Sequence, residues 1–347
     1  MGRLDKGYDA VDSFHRILHG DHRPEWLRDY ILTDAMRRHD GVSTQCGMNW
    51  SPLFNYWFFY TSLEHQIGTA NIVWYFTHDK RATLAALFHD IAAPAFKHVV
   101  DLMCGDYKKQ ESTESRTAEF IRSSKEIYDL LERDQIALDD VVDYKKYPIA
   151  DNEMPRLSAD RLEYTFSYGI ISGDLALDYI LSLYSHLIVV KNEDLRNELA
   201  FSDKQSAHRY VDVAGQFWLT WYSAKNRGIM RCIADCLTAA IRNKIFEFDD
   251  LWKLSEFEIA EQMEHHRLSS WLRFQEVRAV VESDDTCSYE TAPWKFTYRA
   301  PSKPRWTDPL FINEHGDAVR ISSVLANGAN PIADFLKYEP REYVFLL

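Results

Sequence analysis

The first 285 residues carry apolar side chains at the three- and four-residue spacing that gathers them on one face of a helix. Residues 62–76 show it most plainly, with Leu63, Ile67, Ala70, Val73 and Trp74 in register. Asp79 stands where a helix N-cap belongs, ahead of a buried face made of Leu84, Leu87 and Phe88. Upstream, Pro24-Glu25-Trp26 places a proline and an acid in a first turn and predicts a helix past Ile31 and Met36 towards Gly41. Pro94 and Gly105 interrupt the pattern, which resumes over 113–131, 157–168, 175–190, 205–222, 228–246 and 255–281. After Asp284-Asp285 the period changes. Trp294, Phe296 and Tyr298 alternate with Lys295, Thr297 and Arg299, and residues 342–347 form a second strand-like run. The pattern predicts a mainly α fold in two parts: an all-helical body over 1–285 and a small mixed α/β extension over 286–347 packed on it.

Composition narrows the class. With 13 Gly and 11 Pro in 347 residues, collagen-like and Pro-rich extended architectures are excluded. The densest apolar run, 170–190, is broken by Asp174, Asp178 and His186, so no bilayer span is expected. The opening residues lack the apolar core of a secretory signal, and a cytoplasmic protein is the expectation. The five cysteines form no CxxC pair; Cys232 and Cys236, four apart on a helix, read as core packing. The net charge of −13 disfavours nucleic acid as a partner. A small anionic substrate stays open to such a chain if a metal and a few cations line its site.

Four residues carry candidate chemistry: His65, the adjacent His89-Asp90, and Asp160, each in or beside a predicted helix. Two imidazoles and two carboxylates form a mixed N/O donor set suited to Mn, Fe, Zn, Ni or Co rather than Ca. An ion so held lowers the pKa of bound water and polarises a phosphoryl oxygen. An adjacent His-Asp pair alone says little, since His78-Asp79 is another, and helix caps or satisfied core polars are the plain alternative. His98 and Asp101 are three apart, so on a helix they share a face, where the carboxylate fixes the imidazole tautomer. Arg161 and Tyr164 have the same spacing, starting beside Asp160. The basic segment Ser302-Lys303-Pro304-Arg305-Trp306 is either a solvated loop or an arm reaching back to a triphosphate or effector nucleotide.

The run Phe88-His89-Asp90-Ile91-Ala92-Ala93-Pro94-Ala95-Phe96-Lys97-His98-Val99-Val100-Asp101 resembles the signature of the HD-domain metal-dependent phosphohydrolases. Leu63-Glu64-His65-Gln66-Ile67-Gly68 resembles that superfamily's first-histidine helix, and Ser158-Ala159-Asp160-Arg161-Leu162-Glu163-Tyr164 is similar to the segment with its last aspartate. The likeness spans residues 40–245 and is strongest to the deoxynucleoside triphosphate triphosphohydrolases. It implies a helical HD core with His65, His89, Asp90 and Asp160 as ligands of a divalent transition metal, and Mg accompanying the substrate. It further implies His98 as general acid with Asp101 orienting it, and Arg161, Tyr164 and Gln45 as contacts to phosphate and sugar. A nucleotide substrate, a nucleotide effector, a homo-oligomer and a use in antiviral defence are carried by the same likeness. Three positions depart from the pattern: Ala93 and Gln110 stand where histidines are usual, and Ser62 where an arginine is. Those departures keep two alternatives in view, a catalytically weak HD protein that binds a nucleotide for signalling and a phosphohydrolase for nucleoside monophosphates or other esters.

Overall fold

The computed structural model describes residues 8–19, 23–106, 116–285, 296–299, 303–325 and 330–347. The fold is mainly α with a small mixed part, as the hydrophobic pattern predicts. Its first half comprises α1 (Tyr8–His19), α2 (Leu27–Ile31), α3 (Asp34–Arg37), α4 (Ser62–Thr77), α5 (Lys80–Phe88), α6 (His98–Met103), α7 (Thr117–Ser123) and α8 (Lys125–Arg133). The second comprises α9 (Ala159–Ser172), α10 (Leu177–Tyr184), α11 (Lys204–Tyr222), α12 (Ala224–Arg242), α13 (Glu256–His265), α14 (Ser269–Phe274) and α15 (Pro331–Lys337).

Helix α4 is the centre of the body. Eleven of its first twelve residues are buried, polar ones included, which is how a helix enclosed on all sides reads. It packs against α1, α5 and α9. Thr61 and Glu64 close a capping box at its start, and Asp79 accepts from the Arg81 and Ala82 amides to begin α5, as its position predicts. The crossing with α9 is close because residue 68 is glycine: a Cβ there would lie 2.8 Å from Glu163 Cγ. Helix α9 begins at Ser158, whose hydroxyl accepts the Arg161 amide, and ends at Gly173 with φ of 81°.

The helix expected from Pro24 towards Gly41 divides into α2, α3 and a 3-10 turn (Arg38–Gly41), and the 113–131 run divides at the extended Ser124 into α7 and α8. Two further helices are shorter than their apolar runs. Residues 187–191 form β1 (Leu187–Lys191), where Ile188, Val189 and Val190 favour a pleated strand over a helix end. Residues 255–281 divide into α13, α14 and β3 (Val280–Ser283), with Arg267 at φ of 51° breaking the first two apart. The first 285 residues are therefore not wholly helical. β1 pairs antiparallel with β2 (Asn197–Phe201), and β2 pairs parallel with β5 (Leu310–Ile312), itself antiparallel to β6 (Ala318–Arg320). In the second sheet β7 (Tyr343–Leu346) lies between β3 and β4 (Phe296–Arg299). Strands from both sides of position 286 thus share sheets; residues 286–295, where the two parts would meet, lie outside the described residues.

The C-terminal segment is fastened next to the entry of α9. The Asp308 amide donates to the Pro155 carbonyl at 2.7 Å, and Arg320 binds Glu193 and the buried Glu198. Glu198 in turn accepts the Leu157 amide. Among the described residues no helix is long and apolar enough to cross a membrane.

Candidate metal centre

Three helices bring their ends or first turns to one point. His65 lies in the first turn of α4, His89 follows the last residue of α5, and Asp160 lies in the first turn of α9. His65 Nε2 is 3.1 Å from Asp160 Oδ1, His89 Nε2 is 3.7 Å from the same oxygen, and the two Nε2 atoms are 3.2 Å apart. The tautomers follow from the other ring nitrogens. His89 Nδ1 lies 2.7 Å from the Ala86 carbonyl, which only accepts, so Nδ1 carries the hydrogen. His65 Nδ1 meets the carboxylate of Glu163, which is fully buried and also accepts from the Tyr60 hydroxyl at 2.6 Å. Both Nε2 atoms therefore face one another beside a carboxylate, an arrangement that attracts a cation: a proton on His65 Nε2, or the metal ion that would replace it. Burial works against charging His65, yet Glu163 and Asp160 raise it to about 10. Two imidazole nitrogens and a carboxylate, each within 4.8 Å of the others and steadied from behind, fit a divalent transition ion.

Asp90 adjoins this cluster without joining it in the same way. Its Oδ2 is 3.6 Å from His89 Nε2 but is bonded by the ammonium of Lys97. Burial would push the Asp90 carboxyl up; Lys97 and the two histidines hold it well below the usual range. Lys97 adopts φ of 43° and ψ of −117°, a left-handed conformation that for a side chain of this size costs on the order of 1–3 kcal/mol.

The cluster opens on a cavity of about 520 Å³. Lys97, Lys145, Arg161, Arg196, Lys303 and Arg305 contribute cations to its wall. Tyr144, with its ring 5.2 Å from that of His89, and Tyr164, edge-on to Trp221 at 5.2 Å, contribute aromatic surface.

The other sequence-predicted residues line the same cavity, Asp101 excepted, which is buried behind His98. His98 Nδ1 donates to Asp101 Oδ2 at 3.0 Å, while Nε2 accepts from Arg305 at 3.1 Å. Burial lowers the His98 pKa, and Arg305 adds to this against the opposing pull of Asp101. The guanidinium of Arg161 is held by Asp151, Asn152, Arg156 and Ser158, so it organises the loop ahead of α9. Gln45 bonds to Thr44, its immediate neighbour. Ser62 is buried in α4 and bonded by Gln66, and Ala93 is buried in the turn after Asp90. Gln110 and Ser302 lie outside the described residues.

Periodicity did not identify Glu163, although the signal was present: an acid three residues after Asp160 shares its helix face. Glu163→Gln keeps an acceptor for His65 and removes the charge behind it. We expect it to weaken Mn²⁺ binding by about 10–100-fold, read by titration calorimetry; unchanged affinity would reduce Glu163 to packing.

No family profile matches the chain. It is 25% identical over 244 residues to the uncharacterized protein YdhJ of Bacillus subtilis, covering 69% of this chain and 72% of that protein. It is 26% identical over 127 residues to the metal-dependent phosphohydrolase cns2 of Cordyceps militaris, covering 37% of this chain and 36% of that protein. Among solved structures, a phosphohydrolase from Bacteroides thetaiotaomicron aligns with a TM-score of 0.65 at 12% identity, covering 93% of this chain and 96% of that one. A hypothetical protein from Aquifex aeolicus aligns with a TM-score of 0.63 at 13% identity, covering 94% and 93%. At these identities the two structures establish a shared fold over nearly the whole chain.

Proposed function

We propose that this chain is a metal-dependent phosphohydrolase of the HD type acting on a nucleotide, with a deoxynucleoside triphosphate as the best-fitting substrate. The observation that carries the reading is the meeting of His65 Nε2, His89 Nε2 and Asp160 Oδ1 at the floor of a cationic and aromatic cavity. The distant phosphohydrolase relative and the phosphohydrolase of the same fold support it. His65, His89 and Asp160 would hold the ion, with Asp90 within reach. Such an ion supplies charge for a phosphoryl oxygen and lowers the pKa of water.

In the reaction proposed, a water oxygen bonds to the α-phosphorus, releasing one proton to solvent, from which His98 is reprotonated, while the bond from that phosphorus to the 5′ oxygen breaks. His98 Nε2 gives a proton to the departing oxygen, leaving a deoxynucleoside and inorganic triphosphate. Asp101 fixes the ring for that transfer. The lysines and arginines of the wall compensate phosphate charge, a supply independent of Ser62 and Ala93. Tyr164 and Gln45 are the proposed sugar contacts.

Incubating the protein with Mn²⁺ and each of the four dNTPs, singly and mixed, tests this by chromatography of the products. Deoxynucleoside plus triphosphate is expected, and turnover in the mixture alone would reveal an effector. Orthophosphate from a monophosphate would move the substrate to another ester. Binding without turnover would favour the signalling alternative, to which the Arg305 contact on His98 Nε2 lends some weight.

That contact makes its own prediction. A cation on Nε2 opposes protonation, so Arg305→Ala should raise the His98 pKa, detected by titrating its ring resonances by NMR. Since the acid form donates, the alkaline limb of the turnover profile should move to higher pH. A fall in the His98 pKa would contradict this.

A further inference from the structure

The lysine at position 97 is held in an unfavourable backbone conformation, and its ammonium is buried against a carboxylate beside the donor cluster. Phe96 and Lys97 have successive positive φ values of 64° and 43°. The turn is held in place by the Phe96 amide donating to Glu256 Oε1 at 3.1 Å and the Lys97 amide donating to the Pro94 carbonyl at 3.1 Å. Lys97 is only 8% exposed, and its stem leads to Asp90 Oδ2, the atom 3.6 Å from His89 Nε2. Strain of this kind persists where surrounding contacts impose it, and it is concentrated at functional sites.

We propose that Lys97 is a built-in cation that reserves Asp90, competing with the metal for that carboxylate and confining the resting site to the His65, His89 and Asp160 donors. The Lys97 ammonium on Asp90 Oδ2 neutralises that carboxylate and repels a divalent ion brought to the same oxygen. An ion recruiting Asp90 Oδ2 as a fourth donor works against the Lys97 ammonium, and the cost of moving that charge aside is subtracted from its affinity. The displaced ammonium stays in the cavity that Lys97 already lines, where a phosphoryl oxygen is its natural partner. Lys97 is thus a positioning residue that tunes how many protein donors the ion receives.

The inference rests on the metal-centre reading, and the experiment separates the two. Mn²⁺ affinity and stoichiometry are measured by calorimetry for wild type, Lys97→Met, Lys97→Gly, Asp90→Asn and Lys97→Met/Asp90→Asn, with Co²⁺ absorption reporting coordination. Lys97→Met keeps the packed stem without the charge, and Lys97→Gly accepts the backbone conformation without strain, so the two fail for different reasons if either fails to fold. Both are expected to bind the ion about tenfold tighter or more, with a changed Co²⁺ spectrum. In the wild-type background Asp90→Asn should alter affinity little; in the Lys97→Met background it should cancel the gain, the signature of a coupled pair. Wild-type or weaker affinity in both Lys97 variants would overturn the proposal while leaving the metal centre standing. A complete lack of binding in every folded variant would overturn both.

Discussion

Asp160→Asn is expected to yield a folded chain that retains no divalent metal and loses at least about 10²–10³-fold in turnover of whichever nucleotide the wild type hydrolyses. The substitution is nearly isosteric, and the Asp160 main chain, whose amide donates to the Ala150 carbonyl, is unaffected. What disappears is the negative charge to which both histidine Nε2 atoms turn, at 3.1 and 3.7 Å. In the wild type burial opposes charge on Asp160, but His65 and His89 hold its carboxyl far below the usual range, so it is an anion at any working pH. Without it, Asp90 is the nearest remaining carboxylate, and Lys97 holds that one. Metal per chain by elemental analysis, alongside a thermal melt, checks the outcome. One ion retained per folded chain, or hydrolysis at the wild-type rate, would remove Asp160 from the centre.

Much of this arrangement was legible in the sequence because it depends on helix periodicity and on residues whose chemistry is rare in a buried helix. The α4 helix and the Asp79 cap are local signals that the structure bears out, although α4 is buried on every side rather than along one stripe. His65, His89 and Asp160 are far apart in the chain; periodicity places each at a helix end, and the resemblance to the HD signature is what implied that the three ends meet. The strand β1 was not legible, since four apolar residues after a helix extend its pattern whether or not the backbone turns. Lys97 was less so. A lysine between Phe96 and His98 shows neither its positive φ nor the inward course of its stem: the turn is pinned by the Phe96 amide's bond to Glu256, 160 residues away, and the stem ends on Asp90. Arg305 was legible only as part of a basic segment. That its guanidinium reaches His98 depends on the anchoring of residues 308–320 to Pro155 and Glu198, long-range contacts without a periodic signature.

His98→Ala should leave the metal in place and slow turnover by about 10²–10⁴-fold, the loss expected when a positioned proton donor is removed. The His65–His89–Asp160 cluster makes no bond to His98, whose partners are Asp101 on one side and Arg305 on the other. Metal content should therefore match the wild type, which distinguishes this variant from Asp160→Asn. The Michaelis constant should move little, because the imidazole acts on the leaving oxygen as its bond breaks rather than on the bound ground state. Asp101→Asn provides the companion measurement: the amide still accepts from Nδ1 but no longer favours the imidazolium, so a smaller loss and a lower His98 pKa are expected. The substrate's leaving group gives the last control. An ester with a good leaving group, such as p-nitrophenolate, needs no proton, so His98→Ala should hydrolyse it nearly as fast as the wild type does. An equal loss on both substrates would make His98 a binding residue and return the proton to water.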